Sequence, residues 1–140
     1  MVIDDPKGEA SVLRRVRVRE LREEERSEFD WRLEEQHYLA SSVLVGESLR
    51  YVAEVDGQWV ALIAFSGPAL HVKGRERWIR WSPRQRARRL GFVVNNSRLL
   101  VLPDRKRYPN LASRVLGLCL RRLDADWQAR WGHPVLVVES

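Results

Sequence analysis

A β-hairpin is the clearest feature in the pattern of apolar and polar residues. Two apolar runs, Leu49–Val55 and Trp59–Phe65, flank Asp56-Gly57, a pair that favours the positive φ angles of a tight turn. Residues two apart in a strand share one face of the sheet. One face of the predicted hairpin therefore contains Leu49, Tyr51, Ala53, Val55, Trp59, Ala61, Ile63 and Phe65.

Two elements are predicted before the hairpin. Valines alternate with arginines from Val12 to Arg19, which is the period of a half-exposed strand. The residues from about Arg22 to His37 predict an acidic helix with Leu21, Phe29 and Leu33 on one face. The pattern thus predicts a strand followed by a helix.

A short basic helix and an apolar strand are predicted after the hairpin. Ser82 is a candidate cap, Pro83 is favoured at the first helical position and Gln85 completes a capping box. Gly91 ends this helix, as glycine commonly does. Apolar residues from Phe92 to Leu102 predict one strand, or two strands around a polar interruption.

A long, largely buried helix and a last strand complete the pattern. Asn110 is a candidate cap for a helix that runs to about Leu123, and a further helical turn ends at Gly132. Val135–Val138 predicts the last strand. The predicted buried face of the helix contains Leu111, Val115, Leu118 and Cys119, widened by Leu116, Leu120 and Leu123.

The order of elements indicates an α/β (α+β) fold. Strand, helix, hairpin, short helix, strand, helix and strand in succession predict a mixed, mostly antiparallel sheet with helices packed on it. The length of 140 residues suits a single domain. We expect that domain over residues 11–140, after a flexible tail of residues 1–10.

Charge is spread unevenly along the chain. The net charge is +6, but residues 71–107 contain twelve basic and two acidic residues, whereas residues 20–35 contain eight acidic and three basic residues. Of the 25 basic residues, 22 are arginine, the side chain that suits planar contacts to phosphate and bases. One part of the molecule is therefore expected to attract anions.

Several classes of protein are excluded by composition and motifs. Cys119 is the only cysteine, so there is no intrachain disulfide and no cysteine metal cluster, and a buried thiol is expected. The histidines lack metal-ligand spacing, and the sequence has no Walker loop, no Ser-His-Asp signature and no acidic triad of a nuclease. No apolar stretch approaches the length of a membrane span, and the N-terminus does not resemble a signal peptide. A cytoplasmic protein without a membrane partner or a bound metal is expected.

An arginine-rich cluster is the first candidate site. Clustered positive charge dominates affinity for nucleic acid, and Trp78 and Trp81 lie just upstream, where they are candidates to stack on bases. The simpler alternative is solvated arginines with both tryptophans in the core. The predicted nucleic-acid contacts are Arg84, Arg86, Arg88, Arg89, Arg105 and Lys106, with Arg107 beside them.

The polar interruption Asn95-Asn96-Ser97-Arg98 is a second candidate. Adjacent asparagines are unfavourable within a strand, so another requirement must place them there. A β-bulge that exposes backbone groups to a ligand is one interpretation, and an ordinary hairpin turn is the other. Asn95, Asn96 and Arg98 are retained as candidate site residues.

The strand, loop and buried helix near the end of the chain resemble the GCN5-related N-acetyltransferase family. In that family a loop of the form Arg/Gln-x-x-Gly-x-Gly/Ala cradles the pyrophosphate of coenzyme A. The resemblance implies that Arg107, Asn110, Leu111 and Ala112 bind acetyl-CoA and that Glu139 acts as a general base. The pattern departs from the family at Pro109, which has no N–H to donate. The alternative is a loop in which Asn110 simply caps the helix.

A longer resemblance covers nearly the whole chain. The segments GESLRYVAEVDGQWVALIAF, WSPRQRARRLGFVVNNSRLLVLP and PNLASRVLGLCLRRLDADWQARWGHPVLVVES are similar to the DruA-like family. Members occur in Druantia anti-phage systems and at the N-terminal side of transposase-like proteins. The resemblance implies a bacterial protein of a defence or mobile-element system, close to nucleic acid.

Two departures from that family affect the expected function. Arg80 lies where relatives usually have glycine, and relatives continue past the last strand, so we expect a sheet truncated at its C-terminal end or completed by a partner protein. The favoured function is a nucleic-acid-associated accessory protein. The alternatives are an acyl-CoA-dependent N-acyltransferase, the only enzyme class that the resemblance implies, and an inactive remnant.

Overall fold

The computed structural model describes residues 8–36, 46–67, 93–102, 107–135 and 137–139. Three α-helices, one short 3-10 helix and five strands follow one another within these ranges. In chain order they are α1 (Glu9–Arg15), β1 (Arg17–Glu20), the 3-10 helix (Glu23–Glu25), α2 (Arg26–Glu35), β2 (Ser48–Val55), β3 (Gln58–Ser66), β4 (Val93–Val101), α3 (Leu111–Trp131) and β5 (Val137–Glu139).

The five strands form one mixed sheet in the order β1-β2-β3-β4-β5. The first three ladders are antiparallel, and β5 pairs with β4 in parallel. Parallel neighbours need a long crossover between them, and α3 lies in that connection. The predicted α+β class with a mostly antiparallel sheet is confirmed.

The predicted hairpin is confirmed as β2 and β3. Both turn residues have positive φ, 51° at Asp56 and 79° at Gly57, as a type I′ turn requires. The predicted face is wrong at Trp59, because the register shifts between Ala53 and Glu54. That irregularity turns the indole to the opposite face, where it packs in the cluster of Leu62.

Both faces of the sheet are buried against helices. On one face, α1 and α3 pack on the odd-numbered hairpin residues, and Tyr51 meets Phe65 edge to face with ring centroids 6.0 Å apart. On the other face, Phe29 and Leu33 of α2 are fully buried in the cluster of Leu62. The predicted apolar face of the acidic helix is thereby confirmed.

The predicted strand from Val12 is wrong in its first half. Residues Glu9–Arg15 form α1, and the strand begins only at Arg17. Val12 lies on α1 and Val16 is its extended C-cap residue, and both are buried in the core cluster that includes residues of α3. A spacing of four places two residues on one side of a helix as well as of a strand, so the burial pattern alone does not distinguish the two. Glu9 and Ala10, assigned to the flexible tail, are the first residues of this helix.

The long helix α3 is continuous to Trp131 and ends at Gly132, whose φ is 80°. Burial recurs every four residues, at Leu111, Val115, Cys119, Leu123 and Trp127. Four residues turn an α-helix by about 400°, so the buried stripe winds around α3. Leu120 is outside the stripe and 43% exposed, so its predicted burial is wrong.

Cys119 is fully buried in α3. Burial raises the pKa of its thiol to about 12, so the reactive thiolate is scarce at neutral pH. The expectation of a buried thiol is confirmed.

A polar network fastens the C-terminal end of α3 to the start of β2. One carboxylate oxygen of Glu47 accepts from the Trp127 indole at 3.3 Å and contacts His133 Nε2 at 2.6 Å. His133 Nδ1 lies 3.0 Å from Pro134 O. Because both ring nitrogens face acceptors, the doubly protonated imidazolium fits the site best.

We expect the stability of the protein to fall as pH rises through the pKa of His133. Burial lowers the pKa of His133, but the contacts with Pro134 and Glu47 outweigh burial and raise it above the ordinary value. The folded state therefore binds the proton more tightly, and this stabilisation is present at low pH and lost at higher pH. Because the pair is partly exposed, the loss should be below about 1 kcal/mol.

Urea unfolding from pH 5.5 to 8.5 measures this dependence. His133→Gln should remove this component of it, and Glu34→Ala, which alters an exposed carboxylate of α2, is the control. A wild-type protein and a His133→Gln variant with the same pH dependence would contradict the assignment.

Candidate functional site

The sequence-predicted site residues divide into two groups. Arg107, Asn110, Leu111, Ala112, Asn95, Asn96 and Arg98 are described by the structure, as is the backbone of Glu139. The residues Trp78, Trp81, Arg84, Arg86, Arg88, Arg89, Arg105 and Lys106, and the predicted short helix, lie outside the described residues.

A β-bulge interrupts the regular pairing of β4. Ala64 pairs with Arg98 and Phe65 pairs with Asn96, so Ser97 is the extra residue. The strand continues on both sides of the bulge. The predicted bulge is confirmed, and the alternative of a hairpin turn is wrong. A role of the bulge in binding a ligand stays a prediction.

Polar side chains stabilise the bulge, which explains their place inside a strand. The amide nitrogen of Asn96, in the orientation that its surroundings select, donates to Ala64 O at 3.2 Å and Arg98 O at 2.9 Å. The hydroxyl of Ser97 contacts that of Ser66 on β3 and lies 3.3 Å from Asn95 O. These bonds satisfy backbone carbonyls that a bulge removes from the ladder.

Two arginines flank a small residue beside the bulge. Ala64 pairs with Arg50 on one side and with Arg98 on the other, and directly paired residues share a face of the sheet. Arg98 also donates to Ser97 O at 2.7 Å. Burial, together with the positive charges of Arg26 and Arg98, lowers the pKa of Arg50. The structure therefore concentrates positive charge on this face of the sheet.

Sequence reasoning missed Arg50, although a signal was present. The alternation that places Leu49 and Tyr51 on one face assigns Arg50 to the other. A charged residue within a strand buried on both faces is itself a marker of a special environment.

The structure brings Glu139 to the level of the bulge. In the parallel ladder Asn95 pairs with Glu139, and in the antiparallel ladder Asn95 pairs with Ser66. The backbone of the proposed general base is therefore adjacent to the candidate asparagines. The catalytic role of Glu139 remains a prediction.

The N-terminus of α3 binds a carboxylate of the chain itself. Asn110 is the N-cap residue, as predicted, but its side chain makes no capping hydrogen bond to the helix. Instead, its backbone N–H donates to Glu9 Oε2 at 2.9 Å and its amide Nδ2 donates to Glu9 Oε1 at 2.8 Å. The predicted side-chain cap is wrong, because the Asn110 amide reaches Glu9 of α1.

This contact bears directly on the predicted pyrophosphate site. The N–H of Asn110 is occupied by Glu9, the N–H of Leu111 donates to Tyr108 O at 3.2 Å, and Pro109 has none. A helix N-terminus favours anions, and in this structure Glu9 supplies one. A pyrophosphate bound there would have to displace the Glu9 carboxylate.

A small apolar cavity lies beside the same helix terminus. Its volume is about 220 Å³, and its lining includes Leu99 and Val101 of β4 with Tyr108 and Ala112. Exposed Arg107 holds its guanidinium 5.4 Å from the centre of the Tyr108 ring. The first turn of α3 thus lies close to β4, near the bulge.

The comparisons with known proteins identify a family. The family model described as Druantia protein DruA matches residues 2–140. No curated protein and no solved structure matches the chain. Within the described ranges, no helix has the length and apolar content of a membrane span. The chain belongs to the DruA family.

Removal of the Glu9 carboxylate should destabilise the protein through α1. Glu9→Ala leaves Asn110 without its acceptor, and the loss of a charged helix-terminal partner costs about 1 kcal/mol. Urea unfolding measures this change. The matched control is Glu34→Ala, an exposed carboxylate on α2. Equal stabilities of the two variants would show that the Glu9–Asn110 contact contributes nothing.

Proposed function

We propose that this member of the DruA family binds nucleic acid as an accessory component of a prokaryotic anti-phage defence system. Family membership indicates involvement in Druantia anti-phage defence. The proposed contacts are the basic residues on either side of β4, namely Arg84, Arg86, Arg88, Arg89, Arg105 and Lys106.

The distribution of ion pairs is the observation that carries this proposal. Part of the negative charge of residues 20–35 is paired within the fold, since Arg19 binds Glu25 as well as Glu54, Arg26 binds Asp30 and Arg32 binds Glu28. The segment of residues 71–107 has only two acidic residues against twelve basic ones. The net positive charge of the chain is therefore concentrated in residues 71–107, the part of the sequence that contains β4.

The contact between Arg19 and Glu25 illustrates how firmly the acidic part is paired. Both oxygens of Glu25 accept from the Arg19 guanidinium, at 2.7 and 2.8 Å. This bidentate bond is the main cause that lowers the pKa of Glu25 to about 2. A carboxylate held in this way offers little repulsion to an approaching phosphate backbone.

Arg98 extends the proposed surface onto the folded sheet. It belongs to the basic segment in sequence and lies on the same face as Arg50. Contacts of arginine to phosphate provide affinity and position, without sequence readout. The proposal is therefore binding that is strongly salt-dependent and only weakly sequence-dependent.

Charge reversal in the basic segment should weaken nucleic-acid binding. For Arg84→Glu combined with Arg88→Glu, we expect the slope of log affinity against log salt to decrease by about 2, since each lost phosphate contact removes about 1. Fluorescence anisotropy with a labelled duplex and a labelled single strand measures both affinity and slope.

The matched control has the same change in net charge elsewhere. Arg14→Glu combined with Arg121→Glu alters two exposed arginines, on α1 and α3. If both double variants weakened nucleic-acid binding equally, the effect would come from the net charge alone, which would contradict a dedicated binding surface. Absence of salt-dependent binding by the wild-type protein would contradict the proposal itself.

An acyl-CoA-dependent N-acyltransferase is the second candidate, and the geometry near the bulge favours it. The bulge in β4, the parallel partner β5 and the cavity at the first turn of α3 occur together. In this proposal Arg107, Asn110, Leu111 and Ala112 bind the pyrophosphate of acetyl-CoA, and Glu139 accepts a proton from the amine. The occupied N–H of Asn110 weighs against it.

Thermal melting with acetyl-CoA tests this alternative. A rise in melting temperature that Arg107→Glu abolishes and Glu9→Ala increases would support it, because the first variant removes a cation and the second frees the helix terminus. Nucleic-acid binding should be retained in both variants. An unchanged melting temperature with acetyl-CoA would contradict the acyltransferase. An unchanged melting temperature with both acetyl-CoA and nucleic acid would favour an inactive remnant.

A further inference from the structure

A second, polar cavity lies at the end of the sheet away from the β2–β3 turn. Its volume is about 260 Å³, and it opens where β1 ends, β2 begins and α3 ends. Four arginines from three parts of the chain line it, namely Arg22 and Arg26 at the two ends of the 3-10 helix, Arg50 of β2 and Arg130 of α3. None of them belongs to the basic segment of residues 71–107 or to the predicted acetyl-CoA site.

The charge of the lining is positive even after its carboxylates are counted. Glu20 and Glu23 also line the cavity, so four guanidinium groups face two carboxylates and leave two positive charges. Arg26 donates from Nε to Asp30 at 3.1 Å, which uses one of the five N–H donors of a guanidinium. The Asp30 carboxylate offsets the charge of Arg26, so the cavity keeps a smaller net positive charge, which is complementary to an anion.

Two hydrogen bonds to backbone carbonyl groups of β2 hold the wall of the cavity in place. The N–H of Leu21 donates to Arg50 O at 2.8 Å, and the indole of Trp131 donates to Ser48 O at 3.2 Å. The guanidinium of Arg130 lies 5.4 Å from the centre of the Trp131 ring. Leu21, which follows β1, and Trp131, the last residue of α3, are therefore both hydrogen-bonded to β2, so this wall is formed without a ligand.

The environment of Arg50 gives independent support for an anion. Burial is the main cause that lowers its pKa, the positive charges of Arg26 and Arg98 lower it further, and the carboxylates of Asp30 and Glu23 partly offset the shift. An added negative charge near these three side chains would relieve their mutual repulsion. The same reasoning does not favour a neutral ligand.

The size of the cavity limits what it accepts. Sites for drug-sized ligands have volumes of roughly 300–1,000 Å³, and this cavity is smaller. A dinucleotide or coenzyme A is therefore too large to be enclosed. A phosphate group with a small part of its parent molecule has a suitable size and charge.

We propose that this arginine-lined cavity binds a terminal phosphate monoester. The guanidinium groups of Arg22, Arg26, Arg50 and Arg130 contact the phosphate oxygens, and Trp131 with Leu21 forms the apolar wall against the attached group. The four arginines that line the cavity are not among the residues proposed to contact nucleic acid, so variants at these arginines test the two sites separately. Two sources share this chemistry, a free mononucleotide and the phosphorylated 5′ end of a strand.

Titration calorimetry at low salt distinguishes the ligands. The full chain is titrated with adenosine monophosphate, adenosine, inorganic phosphate, and a short oligonucleotide with either a 5′-phosphate or a 5′-hydroxyl. If the ligand is a free mononucleotide, the protein should bind adenosine monophosphate but not adenosine. A strand end as ligand predicts that the 5′-phosphorylated oligonucleotide binds at least tenfold more tightly than the 5′-hydroxyl form.

Variants at two accessible arginines test the location. Arg26→Gln and Arg130→Gln should each weaken binding roughly tenfold or more, as expected for one lost hydrogen bond to a charged group. Arg121→Gln, on an exposed part of α3 that does not line the cavity, is the matched control. Melting temperatures verify that each variant is folded.

Three results would overturn the proposal. The first is that Arg26→Gln, Arg130→Gln and the wild-type protein bind the phosphate compounds with equal affinity. The second is that the protein binds adenosine and adenosine monophosphate with equal affinity. The third is that it binds none of the phosphate compounds. Loss of nucleic-acid binding in Arg84→Glu with Arg88→Glu while the monophosphate still binds would separate this site from the proposed nucleic-acid surface.

Discussion

Burial of the β2–β3 hairpin on both faces is the constraint on which the rest of the fold depends. Every residue of β3 after its first is buried, and a sheet that is apolar on both faces must be covered on both. The hairpin face that contains Tyr51 and Ile63 packs against α1 and α3, and the face that contains Val52 and Leu62 packs against α2.

Elements whose signals are local could be predicted from the sequence. Asp56-Gly57 marks the hairpin turn, Gly132 marks the end of α3, and the spacing of Phe29 and Leu33 marks the buried face of α2. These signals are local because φ preferences and helical periodicity act within a few residues. Long-range contacts accompany the elements that were not predicted, since α1 is joined to α3 through Glu9 and Leu13 and buries Val12 in the shared core.

The candidate sites were less predictable than the fold. The bulge at Ser97 was anticipated because asparagines are costly in a strand, but its bonds to Ala64 and Arg98 required coordinates. The carboxylate on the N-terminus of α3 comes from Glu9, a residue 101 positions away from Asn110. No periodicity or motif reports a contact of that separation, and the same holds for the arginines that converge on Arg50.

The attachment of the N-terminal elements to α3 has a consequence for the order of folding. Three contacts join them, from Glu9 to Asn110, from Arg114 to Leu13 O and from Arg122 to Val18 O, each across more than a hundred residues. Loop closure over such distances is entropically costly and slows the steps that need it. The hairpin, by contrast, closes over a two-residue turn. During synthesis α1 leaves the ribosome before α3, so its contacts with Asn110 and Arg114 form only after the residues of α3 have been made, whereas β1 can pair with β2 earlier.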